Sequence, residues 1–249
     1  MKKLVLFFLL IGSVSASAQS DSLYNRANAH YEGGEYEAAL DAYGQLIASG
    51  YESSDLYYNM GNAAFRSNSI GLSILYYEKA LKLEPGNQDA AHNLEYVKQY
   101  RVDAFDSIPV FFLKDWIKAF VHLLSERNWS LAALLLFSLF FICVLLYLFS
   151  RRMVLKKAGF FIGLAVLLLF GLSLASAVSA HRHIVRPVEA VIIEPSVTVR
   201  STPDHSGTEL FILHEGTKVT SGEMVSGWQN IRVADGREGW VVQNHIASI

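Results

Sequence analysis

Two uncharged apolar runs constrain this chain most: residues 129–149, WSLAALLLFSLFFICVLLYLF, and residues 158–180, 21 and 23 residues long. Wound as helices at about 1.5 Å per residue, each reaches across the ~30 Å of hydrocarbon in a bilayer. Buried helices of a soluble core carry polar residues at helical spacing, whereas these runs hold little beyond Ser and Gly. The pattern predicts two membrane spans and excludes a single soluble globule. It also accounts for an apolar share of 52%, which is high for a soluble protein.

Residues 150–157, between the runs, hold Arg151, Arg152, Lys156 and Lys157, the densest basic cluster in the chain. So short a link makes a helical hairpin, and both flanks then emerge on one side. Short loops rich in Lys and Arg stay in the cytoplasm, so these four residues set the topology and put both flanks outside. The N-terminus agrees. Lys2 and Lys3 precede an apolar core and Ala16-Ser17-Ala18, the order of a secretory signal peptide over residues 1–18. An uncleaved anchor is the alternative, and it gives the same topology. The expected location is a bacterial inner (cytoplasmic) membrane, with both soluble regions in the periplasm and the lipid bilayer as a partner.

Charge narrows the partners further. Residues 19–128 hold 9 basic and 15 acidic groups, and residues 181–249 hold 6 and 8, so neither exported region is basic and nucleic acid is excluded. The single cysteine, Cys143, lies in the first apolar run, which leaves no internal disulfide and no cysteine-based metal site.

Residues 19–104 carry a 34-residue period: Tyr24 and Tyr58, Ala27 and Gly61, Asn28 and Asn62, Ala39 and Ser73, Tyr43 and Tyr77. Such a period with helical patterning is that of helix-turn-helix repeats. In the second copy, about 55–87, Tyr57, Met60, Gly61, Ser73, Tyr77, Ala80 and Pro85 stand where the tetratricopeptide pattern places aromatic, apolar and small residues and a closing proline. The first copy, about 23–53, resembles it more loosely, with Arg26 at an apolar position and Tyr51 at that of the proline. Residues 88–104 read as a capping helix. Two repeats and a cap are few, so support from the juxtamembrane helix or a partner is expected. The first helices of tetratricopeptide pairs line a concave groove, which here presents Asn28, Tyr31, Tyr58, Asn62, Phe65, Arg66, Tyr96 and Tyr100. Aromatic and amide side chains of this kind suit a peptide. The competing use is internal: amides bonded to nearby backbone and tyrosines half-buried in packing.

Within residues 105–128, Phe112, Trp116, Ala119, Phe120, Leu123 and Leu124 recur at helical spacing after Pro109, while Lys114, Asp115, Lys118, His122 and Glu126 fall mostly on other faces. This is a helix lying in the membrane interface or one capping the soluble region with its apolar face.

Residues 187–249 alternate apolar and polar side chains, with Gly and Asp breaks every 8 to 12 residues or so, as in a small β-barrel. Asp235-Gly236 predicts a type I′ hairpin. The stretches VTVRSTPD, EGTKV, SGWQNIRV and DGREGWV resemble the bacterial SH3-like domain over residues 190–249. Trp228 and Trp240 are open to two uses, a binding face for glycopeptide or peptide and packing inside the barrel. Arg200 is placed to hold a turn or to sit on the surface.

No nucleophile with a base, paired carboxylates, phosphate loop or metal-ligand spacing is present, and His181 with His183 is a weak pair at the end of the second span. The chain therefore reads as non-enzymatic, without cofactor or metal. It is a multidomain membrane protein: an all-α tetratricopeptide array, a two-helix transmembrane hairpin and a small all-β SH3-like barrel. That order, with the segment HNLEYVKQYRVDAF, resembles the BatE family of the Bat aerotolerance operon of Gram-negative bacteria. The resemblance implies a scaffold beside von Willebrand A-domain membrane proteins and a MoxR-type ATPase, in an assembly linked to oxidative or envelope stress. Peptidoglycan, bound through the SH3-like domain, is the alternative ligand.

Overall fold

A computed structural model describes residues 22–105, 112–121, 123–185 and 189–249. The expected signal peptide and the hinge at Pro109 lie outside the described residues, as do the side chains of Phe112, Lys114, Asp115, Lys118, His122 and His183.

Helices α1 (22–32), α2 (Tyr36–Ala48), α3 (Ser54–Arg66), α4 (Ile70–Leu83) and α5 (Gln88–Lys98) form two antiparallel pairs and a single closing helix. The 34-residue period reappears in the backbone. Gly34 and Asn68, 34 apart, both take positive φ, at 78° and 62°, to turn the chain between the helices of a pair. Ser53 and Asn87, also 34 apart, accept hydrogen bonds from Leu56 N at 3.1 Å and Ala90 N at 2.9 Å, capping α3 and α5. Glycine at 61 has a packing cause: a Cβ there would lie 2.6 Å from Tyr77 Cε1. The missing side chain lets α3 and α4 close on each other, and Ser73 Oγ donates to Gly61 O at 2.9 Å across the gap. Arg26 and Met60 hold equivalent positions at different depths. Met60 is buried between repeats, whereas Arg26 is exposed on the outer end of the array and donates to Gln45 at 2.9 Å.

The capping helix is shorter than expected, ending at Lys98 instead of 104. Residues 101–105 leave helical conformation, and Asp103 is held there by hydrogen bonds from His214 and Thr217.

The C-terminal region is antiparallel: β1 (Glu189–Ile192), β2 (Ser196–Arg200), β3 (Glu209–His214), β4 (Lys218–Val225), β5 (Trp228–Arg232), β6 (Glu238–Val242) and β7 (Ile246–Ser248), in the order β3-β2-β6-β5-β4-β1-β7. Alternation sends Val197, Val199, Leu213, Val219, Ile231 and Val241 inward to one core. Hairpin chemistry departs from expectation. Asp235-Gly236 is not a type I′ turn, because only Gly236 has positive φ, at 91°. Gly236 N instead bonds Val233 O at 3.0 Å and Val233 N bonds Arg237 O at 2.9 Å, a three-residue loop with the glycine in the left-handed position. The turn with two positive φ values is Ser226-Gly227, at 50° and 82°, between β4 and β5.

The chain divides into two compact units. Among the described residues one gathers 22–82, 87–105 and 189–249, so the repeats and the β-domain belong together. The other holds 83–86, 112–121 and 123–185. In the second unit α6 (Phe112–Val121) precedes two long apolar helices, α7 (Glu126–Phe149) and α8 (Met153–Val185). Both are long and apolar enough to cross a membrane. Only 11% of the most apolar stretch of α7 and 28% of that of α8 is buried, unlike the core helices of a soluble protein. Glycine lets them approach closely: a Cβ on Gly159 would lie 3.0 Å from Cys143 O, and one on Gly163 3.2 Å from Cys143 Cβ. The link between them is shorter than the expected eight residues. Helix α7 runs to Phe149 and α8 starts at Met153, so Lys156 and Lys157 ride on the first turns of α8 and only residues 150–152 connect. Lysine is a good helix former, and charge alone does not end a helix.

Candidate functional site

The groove candidates of the first helices fall into three connected groups. At one end, Phe65, Tyr96 and Tyr100 pack edge to face, with ring centroids 5.4 to 5.7 Å apart. Tyr96 is 48% exposed and Tyr100 51%, and their hydroxyls are 2.8 Å apart. Quadrupole attraction between edge and face fixes these rings without burying them, leaving a preformed aromatic surface.

At the other end, the Arg66 guanidinium lies over the Tyr36 ring at 4.8 Å, and Tyr36 meets Tyr31 edge-on at 5.5 Å. The stacked cation leaves its edge free to donate.

The middle group is a repeated polar lattice. Asn28 Oδ1 accepts from Tyr43 Oη and Asn62 Oδ1 from Tyr77 Oη, each at 2.6 Å. Asn59 Nδ2 donates to Tyr24 Oη at 2.7 Å, and Asn93 Nδ2 to Asn62 Oδ1 at 3.0 Å and to Tyr58 Oη at 3.4 Å. Asn28 and Asn62 therefore bond side chains of the neighbouring helix, where local backbone bonding was the competing expectation. Burial pushes the Tyr43 and Tyr31 hydroxyls above their usual value and Tyr77 up to about 12, so all three are protonated donors at neutral pH. A cleft of about 240 Å³ opens over this lattice, lined by Asn28, Tyr31, Glu32, Tyr43 and Asn59. Amides, hydroxyls and one carboxylate suit the backbone of an extended segment. Asn59 and Asn93 were not among the expected residues, although they too stand 34 apart.

In the β-domain, Arg200 Nη1 donates to His205 O at 3.1 Å and Gly207 O at 2.8 Å, while Nη2 meets Glu209 at 2.9 Å. It thus holds the turn between β2 and β3. Trp228 is 8% exposed, with His205 edge-on at 5.1 Å, and Trp240 is half-buried beside Arg200 in the sheet register. Both tryptophans are chiefly packed, and the outer part of Trp240 is the accessible aromatic area.

A third surface was not anticipated. Gly71, Ile74, Glu78 and Lys82 form a stripe along α4, and the β-domain sits on it. Gly71 and Ile74 are buried there, whereas one repeat earlier the equivalent Glu37 and Ala48 are exposed and Leu40 and Gly44 half-buried.

In the second unit Trp129 Nε1 donates to Val121 O at 2.8 Å and Ser173 Oγ to Trp129 O at 3.0 Å, fixing the start of α7 against α8. His181 Nδ1 meets Glu126 Oε1 at 3.0 Å. Arg151 and Arg152 are exposed at the opposite end of the hairpin. Trp116, Ile117 and Phe120 of α6 are exposed, and α6 belongs to the hairpin unit, not to the repeats. No group of three or more His, Cys, Asp or Glu side chains able to hold a metal occurs among the described residues.

Comparison with known families agrees with the two soluble folds. Residues 24–90 match the tetratricopeptide repeat family and residues 195–247 the bacterial SH3 domain family. No curated protein matches the chain. Both matched families are interaction modules, typically without catalytic activity.

Proposed function

We propose that this protein is a non-enzymatic, membrane-anchored scaffold that presents its repeat groove to partner proteins in the periplasm. The observation that carries the reading is the cluster of exposed Tyr96 and Tyr100 packed on half-buried Phe65 in a tetratricopeptide array. Rigid, exposed aromatic rings are the side chains that contribute most at protein interfaces, because they bury large area at small entropic cost. Helices α7 and α8 supply the anchor, and the basic residues Arg151, Arg152, Lys156 and Lys157 hold their connection in the cytoplasm. Packing of the repeats and the β-domain into one unit supports this topology, since modules docked on each other occupy one compartment. The order of modules resembles the BatE family, and on that resemblance the partners are von Willebrand A-domain membrane proteins of a Bat-type system linked to aerotolerance or envelope stress.

Affinity capture of the full chain from mild detergent tests this. Von Willebrand A-domain proteins are recovered with the parent chain, and at least tenfold less with Tyr96→Ala/Tyr100→Ala, whose exposed positions spare the core. Equal recovery from both, or none from either, contradicts the reading. The match to the bacterial SH3 domain at 195–247 favours a second reading, a wall tether. Co-sedimentation of the full chain with purified sacculi separates them: a tether pellets with the wall, and the scaffold alone stays in the supernatant.

A further inference from the structure

We propose that the SH3-like domain is the repeat array's own capping module, docked as an intramolecular ligand on the outer face of α4 and completing the fold of an array too short to stand alone. Each helical pair of such an array leaves a face that only its neighbours bury, so about three repeats are needed for stability. The described residues hold two pairs and the single helix α5.

The β-domain makes good the deficit at three levels. Its backbone comes into direct contact: a Cβ on Gly71 would lie 2.9 Å from Ile192 O, and one on Gly216, at φ +80°, would lie 2.7 Å from Ile74 Cδ1. Next, it supplies a cap to the start of α4. Gly71 N, in the first turn of α4, is an orphan donor of the helix and donates to Glu215 Oε2 at 2.8 Å, a carboxylate placed at the positive end of the helix dipole. Third, charged groups match across the contact. Lys218 Nζ is 2.9 Å from both Glu78 and Glu189, and Lys82 Nζ donates to Ile249 O at 2.6 Å. Asp103 accepts from His214 N at 2.6 Å, His214 Nδ1 at 3.0 Å and Thr217 Oγ1 at 2.8 Å. Two residues on, Phe105 packs against the β-domain core, with the Arg237 guanidinium over its ring at 5.1 Å. Burial alone would raise the Asp103 carboxyl and lower the Lys218 amine. The hydrogen bonds outweigh burial for Asp103, and the two glutamates outweigh it for Lys218, so both charges are retained.

The segment 214–218 is thereby occupied, and any wall polymer or protein bound by this domain must use another face. The proposal holds whether or not the groove binds a partner.

Hydrogen exchange on the full chain in detergent tests it with Gly71→Ala and Glu215→Ala. Alanine favours an isolated helix over glycine, so in self-sufficient repeats Gly71→Ala slows exchange in α4. With the β-domain as cap, the added methyl disturbs docking, and exchange of the α3–α5 amides quickens tenfold or more. Glu215→Ala leaves the sequence of the repeats unchanged and is expected to quicken the same amides, with strands β5 and β6 still protected. Unchanged or slower exchange in α3–α5 in either variant overturns the proposal.

Discussion

Asn28 and Asn62 show what a single residue contributes here. Each faces the groove yet spends its carbonyl oxygen on a buried tyrosine hydroxyl, so one side chain both shapes the binding surface and ties the helices of its pair. The 34-residue period made these positions visible in the sequence, because equal spacing implies equal environment. Their partners were not visible, since a period does not say which face of the next helix a side chain meets. The lattice carries a pH prediction. Burial raises the hydroxyls of Tyr24, Tyr31, Tyr43, Tyr57, Tyr76 and Tyr77 above their ordinary value of 10.0. The folded state keeps protons that the unfolded state gives up, so this stability is fully present below pH about 10 and is lost as pH rises through the folded values, about 12 for Tyr77. Helical circular dichroism is therefore expected to fall above pH about 10, together with ionisation of these six hydroxyls. Ionisation of all twelve tyrosines with the helices intact contradicts this.

At the scale of elements, strand register decided what turn-residue preference alone did not. Asp-Gly is the stronger hairpin pair, but Arg232 pairs with Glu238, which leaves too many residues for a two-residue turn. Val225 pairs with Trp228, so Ser226-Gly227 must close that hairpin, and register emerges only when the whole sheet is assembled. Gly227 has φ +82° and open space around a built Cβ, so replacing it tests backbone conformation alone. Gly227→Ala is expected to destabilise the β-domain by about 1 to 2 kcal/mol, read as a lower urea midpoint at unchanged slope. An unchanged midpoint contradicts the turn assignment. The long helices teach a related point. Hydropathy located α7 and α8 but not their ends, because the lysines that flank the apolar run are good helix formers.

Across the whole molecule, three parts could be read from the sequence and one could not. Repeats, apolar hairpin and β-domain each carry a local period, 34 residues, an unbroken apolar run and alternation by two. The docking of the first on the last carries none: Asp103 and His214 are 111 residues apart, and neither is unusual in its own segment. The sequence did hold the need for such a contact, in an array one repeat too short. That contact also bears on the proposed topology, because two modules that share an interface share a compartment, and a spanning hairpin of α7 and α8 would return the chain to the side it came from. Labelling of single cysteines in a Cys143→Ser chain with a membrane-impermeant maleimide, on intact spheroplasts, tests this most directly. Asp41→Cys in the repeats and Asn244→Cys in the β-domain, both exposed, are expected to react at once, and Arg152→Cys only after permeabilisation. Protection of either of the first two, or immediate labelling of the third, contradicts the account.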